Sequence, residues 1–203
     1  MIELPSFSFG RKLCTVLLIL VFASALPGCC GYEHVRPFDE RPASTLLTRF
    51  EREGFVFAAS LPPGSEFIRR HLGYDLQDWE ILPILTYLEN ASTGFNFEVP
   101  VRKAQFQLAD GTTFEALSID EVVDECSCSA EMTDDYNAKA LVDRNLPSKG
   151  NPGSVVQGVL FFRPEGKELE DCNLSEGLLS LEVTKRSPEG GETFTAQINP
   201  GVE

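Results

Sequence analysis

The chain is short of histidine, tryptophan and basic residues, and these shortages limit the chemistry that it can perform. It contains two His and one Trp, and its 17 Lys and Arg are outnumbered by 31 Asp and Glu. The resulting formal net charge of −14 at pH 7 repels phosphate backbones, so nucleic-acid binding is disfavoured. Fifteen Phe beside four Tyr favour a packed apolar interior over an aromatic platform for sugars.

The sequence also lacks the motifs of nucleophilic catalysis and phosphate binding. It has no Gly-x-Ser-x-Gly elbow and no Gly-rich phosphate loop. His71 is the one histidine in the region predicted to fold, and it follows two arginines at the end of a short helix, where a cation is favoured. His34 has no metal-ligand residue types near it. The sequence therefore predicts no catalytic residue, no metal site and no cofactor.

No apolar run is long enough to cross a membrane as a helix. The longest, 13–25, has about 13 residues, whereas a helical span needs about 20. It follows Arg11 and Lys12 and ends in small residues, which is the order of a secretory signal peptide. We therefore predict a signal peptide at residues 1–28.

Two cleavage sites compete at the end of this leader. Ala23-Ser24-Ala25 fits ordinary signal peptidase, which would release a secreted or periplasmic protein that starts at Leu26. Leu26-Pro27-Gly28-Cys29 resembles the lipobox of bacterial lipoproteins, and Cys29 lies where the apolar run has just ended. We favour lipidation of Cys29. The resemblance implies two or three acyl chains on that cysteine, and two or more chains make a stable membrane anchor.

The residue after Cys29 is Cys30 rather than Asp. In lipoproteins with this resemblance, that choice implies the outer membrane if the organism has one. Residues 29–43 are predicted to be a lipidated spacer, because Gly31, Pro37 and Pro42 interrupt any periodicity. The folded domain is predicted to occupy residues 44–203.

Strand patterns recur within this domain and are separated by turn residues. Period-two alternation or short apolar runs occur at 55–59, 81–88, 95–99, 104–108, 112–117, 155–162, 177–184 and 192–198. Short helices are predicted at 44–52, 65–72 and 118–124, and a long polar loop at 126–153. About eight short strands at such spacing are typical of an antiparallel β-sandwich.

Four local features sharpen this prediction. Ser65 is a candidate helix cap, and Gly73 would end that helix. Pro83 implies an edge or a bulge near the start of its strand. Asp110-Gly111 indicates a two-residue hairpin turn. Ser118 with Glu121 three residues later forms a capping-box pattern.

Several segments together resemble bacterial envelope lipoproteins with an immunoglobulin-like domain, across roughly residues 54–198. The segments that carry the resemblance are Gly73-Tyr74-Asp75-Leu76, Ile81-Leu82-Pro83-Ile84, Leu88-Glu89-Asn90-Ala91-Ser92 and Leu108-Ala109-Asp110-Gly111-Thr112-Thr113-Phe114. The resemblance implies an antiparallel immunoglobulin-like sandwich and an envelope location. It implies no activity and no catalytic residue.

Three cysteines remain inside the domain: Cys126, Cys128 and Cys172. In an oxidising envelope Cys172 could form a disulfide with Cys126 or Cys128, closing a loop of about 45 residues that is worth roughly 3–4 kcal/mol. Reduced buried thiols and a Cys-centred metal or redox site are the alternatives. Cys126 and Cys128 have one residue between them, whereas structural zinc sites usually have two to four.

Acidic residues offer one further kind of chemistry. Asp120, Glu121, Asp124 and Glu125 are interpreted as a solvated helix face, and Glu89 and Glu98 flank a predicted turn. Glycoside hydrolysis uses a pair of carboxyl groups as acid and as base or nucleophile, so this chemistry requires that the fold place two such groups correctly.

The leading functional prediction is a non-catalytic, membrane-tethered envelope lipoprotein that serves as a protein-interaction or structural module. Its expected partners are the membrane, through the lipid anchor, and an envelope protein. The alternatives are a small envelope hydrolase that acts on carbohydrate through carboxylates and a Cys-centred metal or redox protein.

Overall fold

The computed structural model describes residues 48–74, 76–126, 149–151, 153–188 and 190–202. In this part the fold is mainly β, with 47% strands, an antiparallel curled sheet and two helices. The predicted signal peptide, Cys29, the spacer, Cys128 and most of the polar loop predicted at 126–153 lie outside the described residues.

The strands range from two to ten residues in length. Their bounds are β1 Phe50–Arg52, β2 Phe55–Leu61, β3 Leu82–Asn90, β4 Asn96–Glu98, β5 Gln105–Gln107, β6 Thr113–Leu117, β7 Lys149–Gly150, β8 Val155–Pro164, β9 Leu178–Ser187, β10 Gly190–Ile198 and β11 Gly201–Val202. The helices are α1 Ser65–Leu72 and α2 Ile119–Cys126. Short 3-10 turns occur at Leu76–Trp79, Val101–Lys103, Leu169–Asp171 and Leu174–Glu176.

All the described strands belong to one connected sheet. The strand order is β1-β2-β3-β8-β6-β5-β9-β4-β7, with β10 paired to β9 and β11 paired to β2. Every pair is antiparallel except β11 with β2. On β9, β5 pairs near Leu179 and β4 pairs near Lys185, so these two strands share one edge while β10 occupies the other.

The sheet curls because phenylalanines on its inner face meet across it. The ring of Phe55 on β2 lies 5.0 Å from that of Phe97 on β4 and 5.9 Å from that of Phe194 on β10. Phe50 on β1 stacks on Phe194 at 6.2 Å. We call these four residues the phenylalanine seam. They bring the two ends of the strand order together, and removing large aromatic rings from water stabilises this arrangement.

Segment 190–202 reinforces the same junction through its backbone. Its first part, β10, pairs with β9, and its last part, β11, pairs with the end of β2 at Ser60 and Leu61. At the other end of the junction, Arg52 donates to Glu192 at 2.7 Å, and its guanidinium lies 4.6 Å from the centre of the Phe194 ring. One strand segment therefore links both ends of the sheet.

The two halves of the sheet differ in how far their outer faces are exposed to solvent. Strands β2 and β3 are almost entirely buried on both faces, and the turn Leu76–Trp79 contacts β3 and both helices. On β10, by contrast, the outward residues are exposed and alternate with buried ones. The half that contains β9 and β10 therefore turns a polar face to solvent.

The turn predicted between Glu89 and Glu98 is confirmed, and Asn90 holds it in place. The Asn90 side chain is buried, donates to the Phe95 carbonyl at 2.8 Å and accepts from the Ser92 backbone and hydroxyl at 3.0 and 2.6 Å. The Asn90 backbone bonds to Ser154 and Gly153. A buried amide with all these partners is stabilising rather than costly.

The capping box is confirmed in both directions. The Ser118 amide and hydroxyl donate to the Glu121 carboxylate at 2.7 and 2.8 Å, and the Glu121 amide donates back to the Ser118 hydroxyl at 3.3 Å. Gly73 ends α1 in the left-handed conformation, as predicted. Ser65 is wrong as the cap, because Gly64 occupies that position and no side chain bonds there. Pro83 lies before the pairing of β3 with β2 begins, so only β8 flanks it.

Two further local predictions are wrong. The helix predicted at 44–52 is replaced at its described end by β1, because Glu53 and Gly54, with φ of 51° and 84°, turn the chain into a hairpin with β2. Burial of Phe50 in the phenylalanine seam outweighs its helical spacing. The turn after Leu108 contains three residues, since the Leu108 amide bonds to the Thr112 carbonyl and Gly111 takes a φ of 89°.

Gly177 should tolerate no side chain. A Cβ built there would lie 2.1 Å from the tip of the Phe106 ring, which is fully buried and cannot move aside. We predict that Gly177→Ala lowers the free energy of unfolding by about 1–3 kcal/mol, measured by urea denaturation. Gly94→Ala is the matched control, because nothing lies within 4 Å of its Cβ position. Equal stability of the two variants would contradict the packing of Phe106 against Gly177.

Candidate functional site

An open groove of about 440 Å³ lies on the outer side of the β5–β6 hairpin. Its lining comes from the turn at 101–103, the two hairpin strands and the end of β8, and comprises Arg102, Lys103, Ala104, Gln105, Phe106, Gln107, Thr113, Phe114, Glu115, Ala116 and Glu165. Ligand sites in proteins usually measure roughly 300–1,000 Å³, so the groove has a suitable size.

Strand alternation builds the floor of the groove. Phe106 and Phe114 point inward, are buried and lie 5.0 Å apart, while Gln105, Gln107 and Glu115 point outward and are exposed. Phe106 also packs 6.1 Å from Phe162 on β8. The polar floor therefore rests on a rigid aromatic layer.

Ion pairs and a hydrogen bond engage the charged groups around the rim. Lys103 bonds to Glu182 at 2.6 Å, and Arg102 bonds to Glu121 at 3.4 Å. On the opposite side the Thr113 hydroxyl donates to Glu165 at 2.6 Å. These contacts are exposed, and each contributes little to stability, but they neutralise the two cations beside the groove.

Three floor side chains have no such partner. Within the described residues, the side chains of Gln105, Gln107 and Glu115 make no hydrogen bond and no ion pair. On the same face, Gln197 bonds to Ser180 at 3.1 Å and the hydroxyls of Thr184 and Thr193 lie 3.1 Å apart. The groove is thus a place where donors and acceptors remain available to a ligand.

The predicted carboxylate groups are placed in structural roles instead. Glu98 accepts from Arg186 at 3.0 Å, and Glu125 pairs with Arg163. The backbone hydrogen bond from Ser118 is the main reason that the pKa of Glu121 is lowered. Glu89 lines a mostly apolar cavity of about 10 Å³ that Glu98 does not line, so the two do not share a pocket.

The cysteines do not assemble into a site within the described chain. Cys126 is buried at the end of α2, Cys172 is half-buried, and the two are not bonded to each other. Burial raises the pKa of the Cys172 thiol, which makes it a weak nucleophile. Among the described residues no three His, Cys, Asp or Glu side chains are arranged to hold a metal ion. Pairing with Cys128 stays a prediction.

The remaining singled-out side chains are part of the packing. His71 lies 4.3 Å from the Phe67 ring on the same helix. Trp79 packs edge-on to Tyr74 at 6.3 Å and is partly buried against the core.

Sequence reasoning missed the groove as a site. The alternation at 104–108 and 112–117 identifies Gln105, Gln107 and Glu115 as outward-facing. It does not reveal that the turn at 101–103 and Glu165 border the same face, because those contacts depend on strand order.

Asp110 lies in the turn between β5 and β6, and its interactions lead us to expect that the protein loses stability in acid. The hydrogen bond from Lys167, at 2.6 Å, and the bonds from Thr112 lower the pKa of Asp110 from its ordinary value of 3.8. A carboxyl whose folded pKa is depressed stabilises the protein above its unfolded pKa, and this stabilisation is lost as the pH falls further. We predict that Asp110→Asn reduces the fall in urea midpoint between about pH 5 and about pH 2.

Asp120→Asn is the control for this experiment, because Asp120 is exposed and makes no side-chain bond within the described residues. An Asp110→Asn variant with the acid profile of the wild type would contradict the assignment.

Comparison with known proteins adds two findings to this geometry. No protein-family profile matches the chain, and a search of curated proteins gives no match. Within the part of the chain that the structure describes, no helix has the length and apolarity needed to cross a membrane.

Proposed function

We propose that the chain is a non-catalytic envelope lipoprotein that is anchored by lipid on Cys29 and binds an envelope component through the groove. The observation that carries the binding role is that Gln105, Gln107 and Glu115, on the floor of an open groove, have no side-chain partner in the part of the chain that the structure describes. Residues 29–43 would act as the spacer that separates this groove from the membrane surface.

The architecture proposed for the domain is an immunoglobulin-like sandwich made by folding one sheet over. Contacts between strands far apart in the sheet order support this, with Phe55 of β2 facing Phe97 of β4 and Phe50 of β1 stacking on Phe194 of β10. Such a body buries one inner face and leaves loops and one outer face for binding.

The charge of the chain supports a partner other than nucleic acid. Acidic groups exceed basic groups by 14, and many of the described cations are engaged in ion pairs. A negative field of this kind keeps polyanions away from the surface. An envelope component held close to the membrane through the groove is the role that we favour.

Cleavage and lipidation at Cys29 can be tested together. We predict that the mature protein begins at Cys29 and that cells fed an alkyne-tagged palmitate label it, as seen by mass spectrometry of the N-terminal peptide. Cys29→Ser should abolish the label and keep the leader attached, because the modified thiol is lost. Cys30→Ser should retain the label. An unacylated N-terminus at Leu26 would contradict the lipoprotein proposal.

A carbohydrate hydrolase is the second candidate, because Glu115 and Glu165 line the same groove. Glycoside hydrolysis uses two carboxyl groups, one as acid and one as base or nucleophile. Both residues here are exposed, whereas a general acid usually needs a shielded site. Release of reducing ends from a polysaccharide by the wild type, but not by Glu115→Gln or Glu165→Gln, would favour this candidate over the non-catalytic role.

A further inference from the structure

We propose that the component bound in the groove is a neutral glycan strand, held by hydrogen bonds to Gln105, Gln107 and Glu115. The inference rests on the proposed binding role of the groove and names its ligand class. It is argued from the charge around the groove, the pairing of its strands and the chemistry of its unpartnered groups.

Charge excludes an anionic ligand. The only unpartnered charge on the described floor is the Glu115 carboxylate, which is negative. The cations at the rim, Arg102 and Lys103, already bond to Glu121 and Glu182. A phosphate, a sulfate or an acidic polysaccharide would have to displace those carboxylates while it approached an acidic protein.

Strand pairing excludes an extended peptide added to the sheet at the groove. Such addition requires an edge strand with free backbone N–H and C=O groups. Strand β5 pairs with β6 on one side and with β9 on the other, so the floor has no free edge along Gln105–Gln107. The backbone N–H and C=O groups along this part of β5 are therefore already used within the sheet.

The unpartnered groups suit hydroxyl-rich ligands. Each Gln amide offers two N–H donors and a carbonyl acceptor, and Glu115 offers two acceptor oxygens. Neighbouring sugar hydroxyls both donate and accept, so a planar amide or carboxylate can bond to two of them at once. Gln105 and Gln107 point the same way at a spacing of roughly 7 Å along the strand, which lets both contact one chain of linked sugars.

Rigidity favours the same ligand class. Phe106 and Phe114 pack beneath the floor and hold its backbone in place, so ligand binding costs little conformational entropy of the backbone. Among the described residues no exposed aromatic ring lines the groove, so binding depends on hydrogen bonds without stacking and each site is weak. Repeated sugars and many anchored copies on one membrane would strengthen it through multivalency.

Native gel electrophoresis in detergent tests the proposal on the full lipidated protein. Gels would contain hydroxyethyl cellulose or glycol chitin as neutral glycans, alginate as the acidic glycan, or no polysaccharide. We expect at least one neutral glycan to retard the protein and alginate to leave its migration unchanged. The double variant Gln105→Ala with Gln107→Ala should weaken the retardation about tenfold in apparent Kd, since two hydrogen-bonding groups are lost.

Gln197→Ala is the matched control, because Gln197 has the same side chain on the same outer face but lies outside the groove. It should migrate as the wild type does. Replacing an exposed glutamine is expected to change the stability of the protein little, and thermal unfolding of each variant checks this.

Three results would overturn the inference: no retardation by either neutral glycan, equal retardation of the double variant and the wild type, or retardation by alginate alone. Capture of a peptide or a protein through Gln105 and Gln107 without glycan binding would likewise overturn it. A lipidated but unretarded protein would reject the glycan and leave the anchored role standing. Retardation together with release of reducing ends would reject the non-catalytic role and leave the ligand class standing.

Discussion

The phenylalanine seam is the interaction on which the rest of the structure depends. A sheet that exposes an apolar face on one side must cover that face, and here the chain covers it by bending the sheet until Phe55, Phe97 and Phe194 meet. The short edge strand β1 and segment 190–202 are then held at the junction by backbone pairing and by Arg52. Burial of several aromatic rings at one place makes this closure a substantial apolar contribution to the fold.

Closure of the sheet also decides which surface is available for binding. The helices contact the turn at 76–79 beside β3, where the strands are buried on both faces. The half that contains β5, β9 and β10 keeps an open polar face. Most polar side chains on that face are joined in pairs, as Lys103 is with Glu182 and Gln197 is with Ser180. In the groove over β5 and β6, the side chains of Gln105, Gln107 and Glu115 have no partner within the described residues, and a hydroxyl-rich, uncharged ligand suits these groups.

Local sequence features predicted much of this fold, because they depend on neighbouring residues alone. The capping box at Ser118 and Glu121, the end of α1 at Gly73 and the alternation at 104–108 all match the structure. The helix predicted at 44–52 failed because packing of Phe50 against Phe194, which is remote in sequence, overrides local spacing. Strand order and curl cannot be obtained from periodicity, which gives the face of each residue but not its neighbour across the sheet. For that reason the sequence identified the exposed side chains of the groove without identifying the groove.

Native-state hydrogen exchange tests the central claim most directly, since it measures the opening free energy of each backbone amide. If the seam and segment 190–202 hold the curled sheet closed, the slowest amides of β10 should open with the same free energy as those of β2 and β3, equal to that of global unfolding. Opening of β10 and β11 at a much lower free energy, while β2, β3 and β8 stay protected, would contradict the account.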